Sequence, residues 1–456
     1  MAVSCPTSVA VAPGGHFFQR EDGSPFFWLA DVAWLLFNKL DEAGVRRLFE
    51  DRAGKGFTVI QTVIFRDLFK PNSPNVHGVR PFARDEDLHA ARLNPQWMAW
   101  VADVIAIAGE YGLMAALLPT WGDKWCEQSN SAGPVIFDPD KARRYGRQVS
   151  DSLAQCRNVI WVLGGDSPVQ HAEHIGILRS MAEGIRSGGS GDRLMGFHPL
   201  TSSEMFHSEP WLDFNAIQSG HYEFNTPGYL AIDRLFYQEP PKPCLDIEPN
   251  FEGIAPNTFL YASGHASPMP VFNDYDVRKS FYRTVLAGAA GFTYGCESIR
   301  QLHRKGDRIH RCFREDLPTW DEALDAPGSS HLALPAKALL ERSYSTRIAA
   351  QHLLKPVPPS RTSFFGGDTV VAHNTDSASR VSVARCSQGS YIMAYTPVRQ
   401  TLRIDTSPLA GSRLRISIFD PEQACLVRTC DVENTGVQLI VPERNLDSFL
   451  VMDALD

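Results

Sequence analysis

Two acidic side chains stand directly after apolar strand patterns, where a carboxylate is available for chemistry. Asp166 follows the apolar run 159–163 and two glycines. Glu248 follows a second run, 244–247. A carboxyl group in such a place can exchange a proton with a substrate or attack it as a nucleophile. The rest of the chain must therefore supply a scaffold that brings Asp166 and Glu248 together.

A regular alternation of strand and helix patterns provides that scaffold. Strands are predicted at residues 26–31, 57–64, 113–118, 159–163, 194–198, 213–218, 244–248 and 291–295. Helices are predicted at residues 42–55, 95–111, 140–156, 174–186, 229–238 and 277–290. Continuous apolar strands that alternate with helices favour a parallel sheet covered on both faces. Eight such strands predict an α/β fold, a (β/α)8 TIM barrel, and no G-x-G-x-x-G follows the first strand to favour a doubly wound sheet.

The barrel gives the two carboxylates a common location. Asp166 ends the fourth predicted strand and Glu248 the seventh, and active sites of this fold lie at the carboxyl ends of the strands. One carboxylic acid can protonate a glycosidic oxygen while a second carboxylate attacks the sugar or activates water. A separation of about 5–5.5 Å indicates retention of configuration, and about 6.5–9.5 Å indicates inversion. The pair therefore predicts cleavage of glycosidic bonds.

Further polar and aromatic side chains fall at or just after predicted strand ends, where a barrel would bind its substrate. They are Asp31, Trp34, Trp121, Asp123, Trp125, His198, Gln218, His221, Glu252 and Tyr294. Core packing explains most of the nine tryptophans, and stacking on sugar rings would explain the others. His198 and His221 are expected either to be satisfied histidines of the scaffold or to contact substrate hydroxyls.

Each carboxylate also has a competing interpretation. An aspartate after a strand often caps the next helix, so the Gly-Gly-Asp pattern alone is a weak signal for Asp166. Glu252 is a rival nucleophile, or a residue that orients the nucleophile. Asp246 precedes Glu248 by two residues, and a structural ion pair is the expected role for it.

Other catalytic chemistries lack their usual motifs. Asp31, His198 and Glu248 could form a metal site, but no pair of histidines has a ligand spacing such as H-E-x-x-H. The sequence has no G-x-S-x-G, which disfavours a serine nucleophile, and it has no P-loop. We therefore expect neither a metal nor another cofactor.

The composition of the chain limits the possible binding partners and the cellular compartment. A net charge of −8 argues against binding to nucleic acid, and no apolar run approaches the roughly 20 residues of a membrane span. The nine cysteines show no metal or disulfide spacing and indicate reduced thiols. Residues 1–15 lack a signal-peptide pattern, so we expect a cytoplasmic protein, or a secreted one if a leader is missing. No feature of the sequence predicts an oligomeric state.

The pattern changes towards the C-terminus. Short alternating runs separated by turn residues occur at 369–372, 381–384, 390–395, 414–419, 437–441 and 448–452. They predict a small antiparallel β-sandwich, and the proline-rich residues 355–359 predict a stiff linker before it. We therefore predict two domains, a barrel over residues 1–350 and a sandwich over residues 351–456.

Several of these stretches resemble the apiosidase-like glycoside hydrolases, family GH140. The similar stretches are residues 25–34, 161–166, 246–253 and 278–295, together with Trp320, Leu324 and 327–329. The C-terminal residues resemble a β-sandwich that is often attached to these barrels and that carries a collagen-binding label. Packing against the barrel or rimming its cleft is the expected role of that sandwich.

The resemblance implies different catalytic roles for the acidic residues of the site. It implies an acid/base after the fourth strand and a nucleophile after the seventh, with retention of configuration. Asp166 then takes the acid/base role, Glu248 takes the nucleophile role and Asp31 binds sugar hydroxyls. Phe251 stands where many relatives have a tyrosine, so one hydroxyl is missing from the region of the site.

We therefore expect a retaining, exo-acting, apiosidase-like β-glycosidase. It would release a terminal sugar, such as apiose, from an oligosaccharide or a plant glycoside by double displacement. One alternative is an endo-acting hydrolase on a polysaccharide. Another is a non-catalytic protein that binds carbohydrate or matrix through its sandwich.

Overall fold

The chain forms two compact units. A computed structural model describes residues 8–66, 68–127, 133–257, 270–310, 317–357, 363–364, 367–368, 378–444 and 446–455. The first unit comprises Met1–Val277 and Ala290–Ser329, and the second comprises Arg278–Ala289 and Ser330–Asp456. This division places Arg278–Ala289 with the C-terminal residues, whereas the predicted barrel domain over residues 1–350 included them.

Eight parallel strands build the first unit. They are β1 (Trp28–Val32), β2 (Val59–Val63), β3 (Met114–Leu118), β4 (Val159–Gly164), β5 (Met195–His198), β6 (Asn215–Ile217), β7 (Cys244–Asp246) and β8 (Gly291–Tyr294). Their order in the sheet is β5-β4-β3-β2-β1-β8-β7-β6. The end strands β5 and β6 follow one another in the chain, and the Asp213 N–H donates to the Met195 carbonyl at 2.8 Å. The predicted (β/α)8 TIM barrel is confirmed.

Helices connect these strands. The longer ones are α1 (Glu42–Gly54), α2 (Pro95–Glu110), α3 (Pro139–Ser152), α4 (Ala172–Arg186), α5 (Gly228–Phe236) and α6 (Asp274–Leu286), and the short 3-10 helix Glu204–Phe206 lies between β5 and β6. Side-chain oxygens of Asp41, Asn94 and Asp138 cap α1, α2 and α3. Such caps satisfy backbone N–H groups that the first helical turn leaves without partners.

Shorter elements complete the first unit. Short α-helices span Leu36–Lys39, Asp85–His89 and Glu297–Arg300, and 3-10 helices span Gly122–Lys124 and Glu322–Asp325. The strands Val9–Val11, Phe18–Arg20 and Pro25–Phe26 form a small antiparallel sheet before the barrel.

Large aromatic side chains fill the barrel wall. Trp28, Trp97 and Trp161 are fully buried. The indole of Trp28 donates to Thr293 Oγ1 at 3.1 Å, and that of Trp97 donates to the Ile64 carbonyl at 2.9 Å. Each of these tryptophans therefore acts as a core residue with its polar atom satisfied.

The second unit contains a sandwich of antiparallel sheets. One sheet has the strand order Arg347–Ala349, Ser382–Cys386, Tyr391–Thr396, Ser448–Ala454, Arg413–Asp420, Cys425–Glu433. The other has the order Leu354–Lys355, Leu402–Asp405, Val437–Ile440. Ile392 and Leu450 of the first sheet and Leu402 and Ile404 of the second share one apolar core. The predicted small antiparallel β-sandwich is confirmed.

Some strands of this unit differ from those predicted from the sequence. Leu402–Asp405 and Cys425–Glu433 were not predicted, and the latter is an edge strand whose side chains are mostly exposed. The predicted strand at 369–372 lies outside the described residues. The pair Ser363–Phe364 and Gly367–Asp368 forms a short two-stranded sheet. The short helix Pro327–His331 crosses the boundary between the two units, and helical segments of the second unit span Ala333–Leu340, Tyr344–Thr346 and Gln351–Leu353.

Two general properties follow from these elements. None of the helices in the described ranges combines the length and the hydropathy that a membrane span requires. Within the same ranges, Cys126, Cys156, Cys244, Cys296, Cys386, Cys425 and Cys430 are free thiols.

Candidate active site

One cavity at the carboxyl ends of the barrel strands contains both predicted catalytic carboxylates. Its lining consists of Trp34, Arg66, Trp121, Asp166, His221, Glu248, Ile254, Asn257, Arg300 and His310. These residues follow β1, β2, β3, β4, β6, β7 and β8, so every strand except β5 contributes to the wall. The fold thus brings Asp166 and Glu248 together from positions far apart in the sequence.

A sharp backbone turn places Asp166 in this cavity. Gly164, Gly165 and Asp166 have φ angles of 99°, 106° and 57°, in the left-handed region that L residues rarely adopt. A Cβ at Gly165 would lie 2.6 Å from the Gly122 nitrogen, so the turn requires glycine there. Helix α4 begins only at Ala172, with His171 in the N-cap position, which removes the helix-cap interpretation of Asp166.

Two histidines flank Glu248. His221 Nε2 is hydrogen-bonded to Glu248 Oε1 at 3.2 Å, and His198 Nε2 lies 3.1 Å from Oε2. Burial raises the pKa of Glu248, but the interactions with His198 and His221 outweigh it, and the net effect lowers the pKa below its ordinary value. Glu248 is therefore ionised near neutral pH, the state that a nucleophile needs.

A cation stacked on two tryptophans faces these carboxylates. Arg66 Cζ lies 3.5 Å from the ring centroid of Trp121 and 5.6 Å from that of Trp34. Burial and the neighbouring Arg300 lower the pKa of Arg66 to about 9, against the opposing effect of Glu248, Asp123 and Asp166. Arg66 nevertheless remains charged near neutral pH and adds positive potential beside Glu248.

Half of the residues in the cavity wall were not predicted from the sequence. Arg66 opens the long loop after β2, and its position next to a strand end was the available signal. Arg300 donates to both carboxylate oxygens of Glu297 at 2.7 Å and to the His310 carbonyl at 3.0 Å. Ile254 and Asn257 also belong to the wall. Loops determine where these last residues lie, and no periodic pattern marks such positions.

Asp31 does not line the cavity. Its carboxylate accepts hydrogen bonds from Arg52 Nε at 2.6 Å and from the Val32 N–H at 2.7 Å. Both side chains of the ion pair are almost fully buried. Arg52 belongs to α1, so Asp31 points out of the barrel towards the helix layer, and this position does not support contact with sugar hydroxyls.

Glu252 and Tyr294 are also absent from the cavity wall. The Tyr294 hydroxyl donates to Glu252 Oε2 at 2.7 Å, and the Gly328 N–H donates to the same oxygen at 3.0 Å. Burial raises the pKa of Glu252. Of the two rival nucleophiles, only Glu248 therefore faces the cavity.

The remaining predicted site residues support the cavity from behind or lie beside it. His198 is fully buried, and its ring lies 5.6 Å from those of Trp34 and Trp121. The Trp125 indole donates to the Gly164 carbonyl at 3.0 Å and steadies the turn before Asp166. Asp123 accepts hydrogen bonds from the Lys124 ammonium and the Gly133 N–H, both at 3.0 Å. Gln218 follows β6 but is not part of the wall.

No metal-binding cluster is evident in the part of the chain that the structure describes. There, no three His, Cys, Asp or Glu side chains come together in an arrangement that would hold an ion. The chemistry that the cavity offers comes from two carboxylates, two histidines and two arginines.

Solved structures share this fold over the whole chain. A protein described as a glycoside hydrolase is 22% identical, with a TM-score of 0.83, over 99% of this chain and 98% of its own. A glycoside hydrolase family 5 protein from Bacteroides vulgatus is 21% identical, with a TM-score of 0.83, over 100% of this chain and 95% of its own. A comparison with curated proteins found no match.

Family profiles identify the two parts of the chain. The profile described as "Apiosidase-like, catalytic domain" matches residues 12–346. A second profile, named for a collagen-binding domain of a collagenase, matches residues 367–453. The first match covers most of the chain and contains every residue of the cavity wall. The chain therefore belongs to the apiosidase-like family and is a glycoside hydrolase.

Proposed function

We propose that the enzyme is a retaining, exo-acting glycosidase with Glu248 as nucleophile and Asp166 as general acid/base. The observation that carries this proposal is the shared cavity, which is lined by an ionised Glu248 after β7 and by Asp166 after β4. The family description supports apiose as the released sugar. Oligosaccharides and plant glycosides are the substrate class.

The proposed reaction has two displacements. In the first, a Glu248 oxygen bonds to the anomeric carbon, the bond to the leaving oxygen breaks, and Asp166 gives its proton to that oxygen. In the second, Asp166 takes a proton from water, the water oxygen bonds to the anomeric carbon, and Glu248 leaves as a carboxylate. The sugar is released with its original configuration.

The shape of the cavity supports exo action. Its lining comes from segments that follow seven of the eight strands, with Ile254, Asn257 and His310 on the side of β7 and β8. A lining drawn from most of the barrel strands favours a pocket for one terminal sugar over the open groove that an internal unit of a polymer needs. A hydrolase that acts within a polysaccharide is therefore the less favoured candidate.

A panel of aryl glycosides that includes furanosides tests the proposal. The first-formed product anomer, read by proton NMR, should match the configuration of the substrate, and oligosaccharides should yield monosaccharide only. Glu248→Gln should lose nearly all turnover. Inversion, internal cleavage or an active Glu248→Gln variant would overturn the corresponding part of the proposal.

The proposed acid/base role of Asp166 is tested by a separate measurement. Asp166→Ala should still cleave substrates whose leaving groups need no proton, and azide should accelerate its turnover by replacing the water that Asp166 would activate. Equal losses on good and poor leaving groups, with no azide effect, would rule out the acid/base role.

A further inference from the structure

His221 lies between the carboxylate of Glu248 and a backbone donor. Its Nε2 is 3.2 Å from Glu248 Oε1, and the Phe251 N–H donates to its Nδ1 at 3.4 Å. A ring nitrogen that accepts an N–H bond cannot carry a proton of its own. The proton of the neutral ring is then on Nε2, where it points at Glu248.

Packing restricts the same ring. The Phe251 ring lies 4.7 Å from that of His221, and only 13% of the His221 side chain is exposed. A proton on Nδ1 would face the Phe251 N–H, with two donors opposed and little room to rotate. The backbone of Phe251 therefore selects the tautomer, although the side chain of Phe251 has no polar atom.

The backbone around His221 is fixed from β7. Asp246 Oδ2 accepts from the Ser219 hydroxyl at 2.8 Å, and Oδ1 accepts from the Ser219 N–H at 3.3 Å. The Gly220 N–H donates to the Glu248 carbonyl at 2.8 Å. Ser219, Gly220 and His221 are thus each bonded to Asp246 or Glu248. Asp246 uses its carboxylate for this contact rather than for the predicted ion pair.

We propose that His221 is a positioning residue for Glu248, a neutral imidazole with its proton on Nε2, held in place by the contact between Asp246 and Ser219. The proposal rests on the assignment of Glu248 as nucleophile. A hydrogen bond on Oε1 fixes the rotation of the carboxylate, so that its plane meets the anomeric carbon in one orientation. Misplacement of a reacting group by about 1 Å can cost about 10²-fold in rate.

The tautomer can be measured without any substrate. In protein labelled with ¹⁵N in its histidine rings, His221 should show a protonated Nε2 and an unprotonated Nδ1 near neutral pH. The His221→Gln spectrum identifies the signals by their loss. A proton on Nδ1, or on both nitrogens, would overturn the proposal whatever the enzyme cleaves.

Kinetics then separate positioning from a structural role. His221→Phe should lower kcat about 10²-fold with little change in KM, because it removes the donor while keeping a flat ring. His221→Gln should recover much of that loss, since its amide nitrogen can still donate to Glu248. Equal activity of the Phe and Gln variants, whether high or low, would contradict the proposal.

Ser219 offers a second pair of variants that leaves the ring intact. Ser219→Ala removes the hydroxyl that binds Asp246, and Ser219→Thr keeps one. The Ala variant should lose part of kcat and the Thr variant should keep more of it; the same loss in both would argue against the anchor. If Glu248→Gln proves active, Glu248 is not the nucleophile. The NMR measurement still tests the tautomer of His221 independently of that assignment.

Discussion

The Tyr294 hydroxyl donates a hydrogen bond of 2.7 Å to Glu252 Oε2. Tyr294 on β8 is paired in register with Asp31 on β1, so the two side chains share one face of the sheet. Arg52 of α1 binds Asp31, and its Cζ lies 5.9 Å from the Tyr294 ring centroid. That face is therefore the outer one, and Glu252 belongs to a cluster between the barrel and its helices.

Glu252 should accordingly matter for stability and not for turnover. Glu252→Ala leaves the Tyr294 hydroxyl and the Gly328 N–H buried without their acceptor, at a cost of about 1–3 kcal/mol in the free energy of unfolding. Glu252→Gln keeps an acceptor oxygen and should keep most of kcat, whereas Glu248→Gln should lose several orders of magnitude. Denaturant unfolding and aryl-glycoside kinetics measure both. A Glu252→Gln variant as inactive as Glu248→Gln would return Glu252 to the active site.

The buried pair of Asp31 and Arg52 should also be structural. Asp31→Ala removes the carboxylate bound to Arg52 Nε in a buried environment, while Asp51 still pairs with Nη1, and should lower the free energy of unfolding by up to about 3–5 kcal/mol. Glu183→Ala is a matched control, because it breaks a pair with Arg143 in which both side chains are 59% exposed, worth less than about 1 kcal/mol. KM should not change in the folded fraction of Asp31→Ala. A large rise in KM would show that Asp31 contacts the sugar after all.

The positions of these residues show which features of the fold and of the site could be predicted from the sequence. All eight barrel strands were predictable because helices cover their outer face and side chains fill the barrel interior, so that both faces are buried and the runs are continuously apolar. Asp166 and Glu248 were predictable because topology fixes where strands four and seven end. The face on which a strand-end residue projects depends on register, which placed Asp31 and Tyr294 on the outer side.

The other residues of the cavity wall depend on contacts between distant parts of the chain, which no local sequence pattern indicates. Arg66 is important because Trp34 and Trp121 come together beneath its guanidinium, and these residues lie in loops after three different strands. In the sandwich, the edge strand Cys425–Glu433 exposes nearly all its side chains, so it carries no apolar alternation to recognise. Residues are most predictable where burial dictates their type.

Asp246 should make stability depend on pH. Burial and the neighbouring Glu248 raise its pKa from 3.8 to about 7, against the lowering effect of Ser219. Because the folded state binds this proton more tightly than the unfolded state, the stabilisation is present below about pH 4 and is lost as the pH rises to about 7.

The variant Asp246→Asn tests this directly, because its side chain does not titrate. The free energy of unfolding of the variant should improve relative to that of the unmodified protein between pH 4 and pH 7. Asp192→Asn is the control, since the Asp192 side chain is 73% exposed and should give a parallel curve. Parallel curves for Asp246→Asn as well would show that Asp246 is ionised throughout this range.

The turn before Asp166 should tolerate no side chain. Gly165 has a φ of 106°, and an added Cβ would lie 2.6 Å from the Gly122 nitrogen. Gly165→Ala must therefore move the backbone that carries Asp166, and we expect a large loss of kcat together with a loss of stability beyond the about 1–2 kcal/mol of a left-handed alanine. Gly112→Ala is the matched control, because Gly112 has a φ of 74° but no atom within 4 Å of the added Cβ. Equal unfolding energies for the two variants, with full activity of Gly165→Ala, would show that the turn does not set the position of Asp166.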